Sequence, residues 1–71
     1  MSDHKWSFDK RDDTWKTGTE SRGAGVFEDE KGWTANVVVD AAGIMLDYYD
    51  DCDKAMEAAE KELDRMIEVS K

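Results

Sequence analysis

Between Trp33 and Val39 the chain alternates with a period of two. Trp33, Ala35, Val37 and Val39 fall on one face of an extended strand, and Thr34, Asn36 and Val38 on the other. Asp40-Ala41-Ala42-Gly43 then reads as a turn, with Gly43 the residue free to take a positive φ. Alternation resumes from Ile44 to Tyr49, with Ile44, Leu46 and Tyr48 on one face and Met45, Asp47 and Tyr49 on the other. Two strands this close in sequence predict a hairpin. Upstream, Ala24 to Glu28 is a strand closed by the charged turn Asp29-Glu30-Lys31-Gly32. Trp6 and Phe8 alternate with polar residues between His4 and Lys10, and Thr14 to Thr19 holds strand formers around Trp15. Gly18, Gly23 and Gly25 punctuate what reads as a loop. An antiparallel meander of three to four strands is expected.

From Cys52 the period becomes helical. Cys52, Ala55, Met56, Ala59, Leu63, Met66 and Ile67 lie on one stripe of a helix over 51–69. Asp50 or Asp51 caps its first turn, and Glu57–Lys61 and Glu62–Arg65 are favourable surface pairs. The fold class is therefore α+β: one domain over 1–71, with 1–13 free to move, 24–49 a β-meander, and one C-terminal helix packed on one sheet face. The stripe is expected to bury Ile44, Leu46, Trp33, Val37 and Val39. The opposite face then carries Val38, Met45 and Tyr49, joined by Trp15 or Phe27. Such a face is a candidate interface, although open antiparallel sheets ordinarily carry some scattered apolar residues.

Composition narrows the class. A chain of 71 residues sits near the size where a single core is marginal. Three tryptophans, two tyrosines and two phenylalanines argue against disorder, even with 39% charged residues. The single cysteine, Cys52, leaves no internal disulfide to staple the core, so a homodimer or docking onto a partner would add stability. No apolar stretch approaches the ~20 residues of a membrane span. The start, Met1-Ser2-Asp3-His4-Lys5-Trp6, lacks the basic-then-apolar design of a signal peptide, so a cytoplasmic location is expected.

Charge narrows it further. The net charge is −8, and from Gly32 to Asp53 the chain holds Asp40, Asp47, Asp50, Asp51 and Asp53 without one lysine or arginine. Nucleic acids and anionic lipids repel such a protein, since binding to phosphate rests on basic side chains. Neither direct nucleic-acid binding nor membrane binding is expected. An acidic surface steers instead toward basic clefts on other proteins.

No constellation specifies a reaction. Asp47, Asp50, Asp51 and Asp53 offer hard oxygen donors, but their spacing departs from the calcium-loop pattern, and helix capping accounts for Asp50 and Asp51. They fit an exposed anionic ridge better than a metal site. His4 is the only histidine, and no serine or cysteine nucleophile stands in a pattern with it. Cys52 belongs to the apolar stripe and is flanked by Asp50, Asp51 and Asp53, which oppose thiolate formation. Ser21-Arg22-Gly23-Ala24-Gly25 lacks the lysine and the following helix of a phosphate loop. No catalytic residue, metal or cofactor is assigned, and an enzyme is not expected.

The succession Gly32-Trp33-Thr-Ala-Asn-Val-Val-Val, turn, Ile44-Met-Leu-Asp-Tyr-Tyr, then Asp53-Lys-Ala-Met-Glu-Ala-Ala-Glu60 resembles the carboxy-terminal half of small phage-encoded proteins. Size and acidity are similar to those of anti-CRISPR and DNA-mimic inhibitors, and the meander-plus-helix order to that of some antitoxin domains. The resemblance implies a non-enzymatic inhibitor whose partner is a protein with a basic surface, such as a CRISPR effector or another nucleic-acid-binding host protein. The base-free acidic stretch, not the resemblance, makes Asp47, Asp50, Asp51 and Asp53 the expected contact surface, with Asp40 at the far end of the hairpin. The alternative is a self-associating or adaptor domain, antitoxin-like, that uses Val38, Met45 and Tyr49.

Overall fold

Every segment with a period of two becomes a strand, and the computed structural model, which describes residues 4–69, contains five of them rather than three to four. They are β1 (Ser7–Asp9), β2 (Thr14–Gly18), β3 (Arg22–Asp29), β4 (Gly32–Val39) and β5 (Ala42–Met45), followed by helix α1 (Cys52–Val69). The strands form one antiparallel sheet in the order β1-β2-β3-β4-β5, so the α+β meander with a C-terminal helix stands. The expected loop through Gly23 and Gly25 is instead the start of β3. Gly23 is required there because a Cβ would stand 2.4 Å from the Thr19 carbonyl oxygen and 2.6 Å from that of Thr17. This glycine marks close backbone approach within the sheet, not a loop.

Register fixes which residues share a face. Trp15, Val26 and Ala35 lie side by side across β2, β3 and β4, as do Thr17, Ala24 and Val37 in the next row. The helix lies over β3 and β4 and buries Ala55, Ala59 and Leu63 against Ala24, Val26, Ala35, Val37 and Val39. Leu63, 1% exposed, alone contributes on the order of 2 kcal/mol of apolar burial. The predicted stripe is thus the buried one, with Cys52, Met56, Met66 and Ile67 half-buried at its margins. Trp6 and Trp15 extend the covered layer over the first strands, and Phe8 tilts against Trp15 with ring centroids 5.2 Å apart. Trp6 donates its indole N–H to Glu60 at 3.2 Å, and His4 pairs with Asp64 at 2.8 Å, tying residues 4–6 to the helix. Trp15 therefore belongs to the covered face, whereas Phe27, paired with Thr34, lies on the open one.

The end of the last hairpin departs from simple alternation. Leu46 donates its N–H to the Ala35 carbonyl, yet Tyr49 and Trp33 exchange both backbone hydrogen bonds, at 3.1 and 2.7 Å. Three steps along 46–49 therefore face two along 33–35, which is a β-bulge. The Thr34 hydroxyl, fully buried, donates to the Leu46 carbonyl at 2.9 Å within the bulge. One extra residue reverses the faces beyond it. Tyr49, expected on the open face with Val38 and Met45, packs instead against the core beside Trp33. Tyr48, expected on the covered face, points to Asp29.

The turn before β5 also differs from expectation. It is the pair Asp40-Ala41, at φ 51 and 73, and Gly43 sits inside β5 opposite Val38. Positive φ at both central residues is the geometry that matches the right-handed twist of a two-residue hairpin. Ala41 holds it at a steric cost of about 1–2 kcal/mol that glycine would not carry. Glycine gives back part of that gain, up to about 1 kcal/mol, through a more flexible unfolded chain. Ala41→Gly should therefore raise the melting temperature by a few degrees, at about 4–8 °C per kcal/mol for a domain of this size. A lower melting temperature by calorimetry would contradict the left-handed turn.

Candidate functional site

The bulge and the β3–β4 turn meet at one end of the sheet. There Trp33 bonds to Tyr49, and a Cβ on Gly32 (φ 126) would stand 3.0 Å from the Tyr49 carbonyl oxygen. This contact sets Glu28, Asp29 and Glu30, on the β3 side, beside the segment that carries Asp47, Asp50, Asp51 and Asp53. All seven acids are exposed, and the same segments contribute only Lys31 and Lys54. The expected anionic ridge is therefore larger than the four aspartates that the contiguous sequence picked out. Glu28, Asp29 and Glu30 lie outside the base-free run from Gly32 to Asp53, so contiguous sequence does not join them to it. The signal that finds them is the hairpin turn itself, which must lie beside whatever pairs with Trp33.

Two of these seven carboxylates, Asp51 and Asp29, accept hydrogen bonds from neutral donors. Asp51 is the helix cap, its Oδ1 accepting the Lys54 backbone N–H at 2.8 Å. Asp53 follows in the first turn, where the helix dipole favours negative charge. Asp50 does not cap and stands 3.9 Å from the Lys54 ammonium, a loose exposed pair. Asp29 accepts the Tyr48 hydroxyl at 2.7 Å and the Lys31 backbone N–H at 2.8 Å. The Lys31 ammonium lies 5.8 Å from the Tyr48 ring centroid, over its face. Asp47 lies in the bulge, where the alternation that assigned it to the open face no longer applies.

Electrostatics follow from these contacts. The Tyr48 hydroxyl, and after it the Lys31 N–H, hold the Asp29 carboxyl below the usual carboxylate value, while Asp29 pushes the Tyr48 phenol up. Burial first, and then the charges of Asp53 and Asp51, push the Cys52 thiol up, away from a reactive thiolate.

The remaining expected contact residues lie elsewhere. Asp40 is at the opposite end of the hairpin, where Arg22 grips it through Nε at 3.3 Å and a terminal nitrogen at 3.2 Å. Its charge is compensated, so it does not extend the ridge. Val38 is half-buried and Met45 62% exposed on the open face, but Tyr49 is not there with them. Gly23, Gly25, Gly43, Asn36 and Lys16 interrupt what is left of an apolar patch. Lys16 is itself held by Asp9 and Asp12, which push its ammonium pKa up, Asp12 the more strongly. Among the described residues, no group of three or more histidine, cysteine, aspartate or glutamate side chains is placed to hold a metal ion. No described helix is long and apolar enough to cross a membrane.

Compared with protein-family models, with curated proteins and with solved structures, the chain matches none.

The Tyr48–Asp29 contact is testable by titration. A carboxyl depressed in the folded state stabilises the fold above its unfolded pKa and loses that contribution as pH falls through its folded pKa. Tyr48, raised above its ordinary 10.0, contributes in the opposite direction: its share is present below that value and is lost as pH rises through the folded pKa. In Tyr48→Phe the Asp29 carboxyl should titrate closer to 3.8, read by carbon NMR, and acid unfolding should begin at higher pH. An Asp29 titration identical in both proteins would show that the hydroxyl contact is absent in solution.

Proposed function

We propose that this chain is a non-enzymatic inhibitor that presents its acidic end to a basic, nucleic-acid-handling surface of another protein. The observation that supports it most is the gathering of Glu28, Asp29, Glu30, Asp47, Asp50, Asp51 and Asp53 at one end, on segments whose only lysines or arginines are Lys31 and Lys54. Exposed carboxylates carried on a hairpin and a helix start can stand where the phosphates of a nucleic acid would, and compete through the same charge complementarity. The resemblance to small phage-encoded inhibitors suggests a host defence protein, such as a CRISPR effector, as the target, and the host cytoplasm as the place of action. The self-associating alternative has less support, because Tyr49 is drawn away from the open face and glycines break up what remains.

The immobilised protein should recover a nucleic-acid-binding protein from a host lysate, and added DNA should displace it. Binding should weaken and slow as salt rises past physiological strength, where the screening length is about 8 Å. Asp47→Lys should cut affinity severalfold at an unchanged melting temperature, since Asp47 makes no capping bond or ion pair among the described residues. Asp51→Ala should instead cost about 1 kcal/mol of stability through loss of the cap. Recovery only of proteins that handle no nucleic acid, or an affinity flat with salt, would contradict the proposal.

A further inference from the structure

The two edges of the sheet are protected unequally. β1 is a three-residue strand that contains Asp9 and is flanked by Lys5, Lys10 and Arg11. Short length and charge are the usual guards against strand addition. β5, at the other edge, reads Ala-Gly-Ile-Met, carries no charge, and is exposed at all four positions. Ile44 and Met45 are 37% and 62% exposed. Among the described residues β4 is its only strand neighbour, and the helix does not lie over it.

The register shows which backbone groups face outward. Val39 and Ala42 close the two-residue hairpin, Leu46 donates to Ala35, and antiparallel bonding alternates between them. Ala42 and Ile44 therefore bond inward to β4. The N–H and C=O groups of Gly43 and Met45 point away from the sheet, with no backbone partner among the described residues. Beside this edge, between β5 and the last turns of α1, lies a pocket of about 220 Å³ lined by Val39, Ala42, Arg65, Met66 and Val69. Val69 is 74% exposed. At the other end of β5 the chain runs into Asp47 and Asp50.

We propose that β5 is a docking edge for an extended cationic peptide segment of a partner, which adds a sixth strand to the sheet. Its backbone bonds to Gly43 and Met45, one apolar side chain enters the pocket beside Ala42, and a lysine or arginine reaches Asp47. Strand addition draws affinity from main-chain bonds and specificity from pockets for alternate side chains. Charge selects this occupant over a second copy. Two chains of net −8 repel, and the base-free approach through Asp47 and Asp50 favours a positive segment. This proposal does not depend on the acidic end meeting a nucleic-acid-binding surface.

The probe is an eight-residue peptide of alternating lysine and valine, compared with its glutamate–valine counterpart and with octalysine. Fluorescence anisotropy should show binding of the lysine–valine peptide at least tenfold tighter than of the other two. Amide NMR shifts should centre on Ala42 to Asp47 and on Met66 and Val69. Gly43→Pro removes an outward N–H that the fold does not use, so it should lose at least tenfold in affinity with an unchanged circular dichroism spectrum. Should that variant misfold, Ala42→Gln, which fills the pocket and leaves the ladder bonds, should weaken the peptide severalfold. No binding, equal binding of octalysine, or shifts confined to the acidic end would overturn the proposal. So would a folded Gly43→Pro, or Ala42→Gln, that binds like the parent. A wild-type dimer in sedimentation that Gly43→Pro dissolves would replace the peptide with a second copy as occupant.

Discussion

A single helix has to cover five strands. Strands spaced about 4.8 Å apart make a sheet about 19 Å across between its outer strands, whereas a helix is about 10 Å wide. It therefore covers the middle of the sheet and no more, and α1 takes β3 and β4. Alanines on both sides, Ala55 and Ala59 against Ala24 and Ala35, let the two layers approach closely around Val26, Val37 and Leu63. Indole rings complete the first-strand side, where Trp6 and Trp15 extend the core and Phe8 leans on Trp15. Among the described residues nothing equivalent covers β5. Its exposed Ile44 and its outward backbone groups are thus a direct consequence of the sheet being wider than its helix.

The chain treats its acids in two distinct ways. Asp40 and Asp9 are matched with Arg22 and Lys16, and each ion pair cancels its own field at a distance. At the acidic end the partners of Asp51 and Asp29 are neutral: a backbone N–H for one, a phenol and a backbone N–H for the other. Asp53 has the helix dipole. Neutral donors stabilise a carboxylate without removing its charge, so carboxylates can gather there while the outward field persists. The proposed basic partner would meet that field.

Periodicity made the helix stripe and the Trp33–Val39 strand legible, because both follow a single unbroken rule over many residues. It failed where the rule is broken locally. Nothing in Leu46-Asp47-Tyr48-Tyr49 announces an extra residue, since the bulge is fixed by Trp33 and Thr34 across the ladder. That one residue exchanged Tyr48 and Tyr49 between faces and removed Tyr49 from the candidate interface. The Asp40-Ala41 turn was hidden for a different reason: alanine is a poor witness to positive φ, and the nearby Gly43 drew the assignment to itself. The four aspartates around the helix start were visible as a base-free run, whereas Glu28, Asp29 and Glu30 join them only through pairing across the hairpin.

Amide hydrogen exchange along β5 tests most directly the claim that one helix leaves this edge open. In the isolated protein, Ile44 and Leu46, whose N–H groups bond inward to β4, should be protected. Gly43 and Met45 should exchange at least tenfold faster despite lying between them in sequence. Equal protection of all four amides would contradict the account, because the edge would then already be paired.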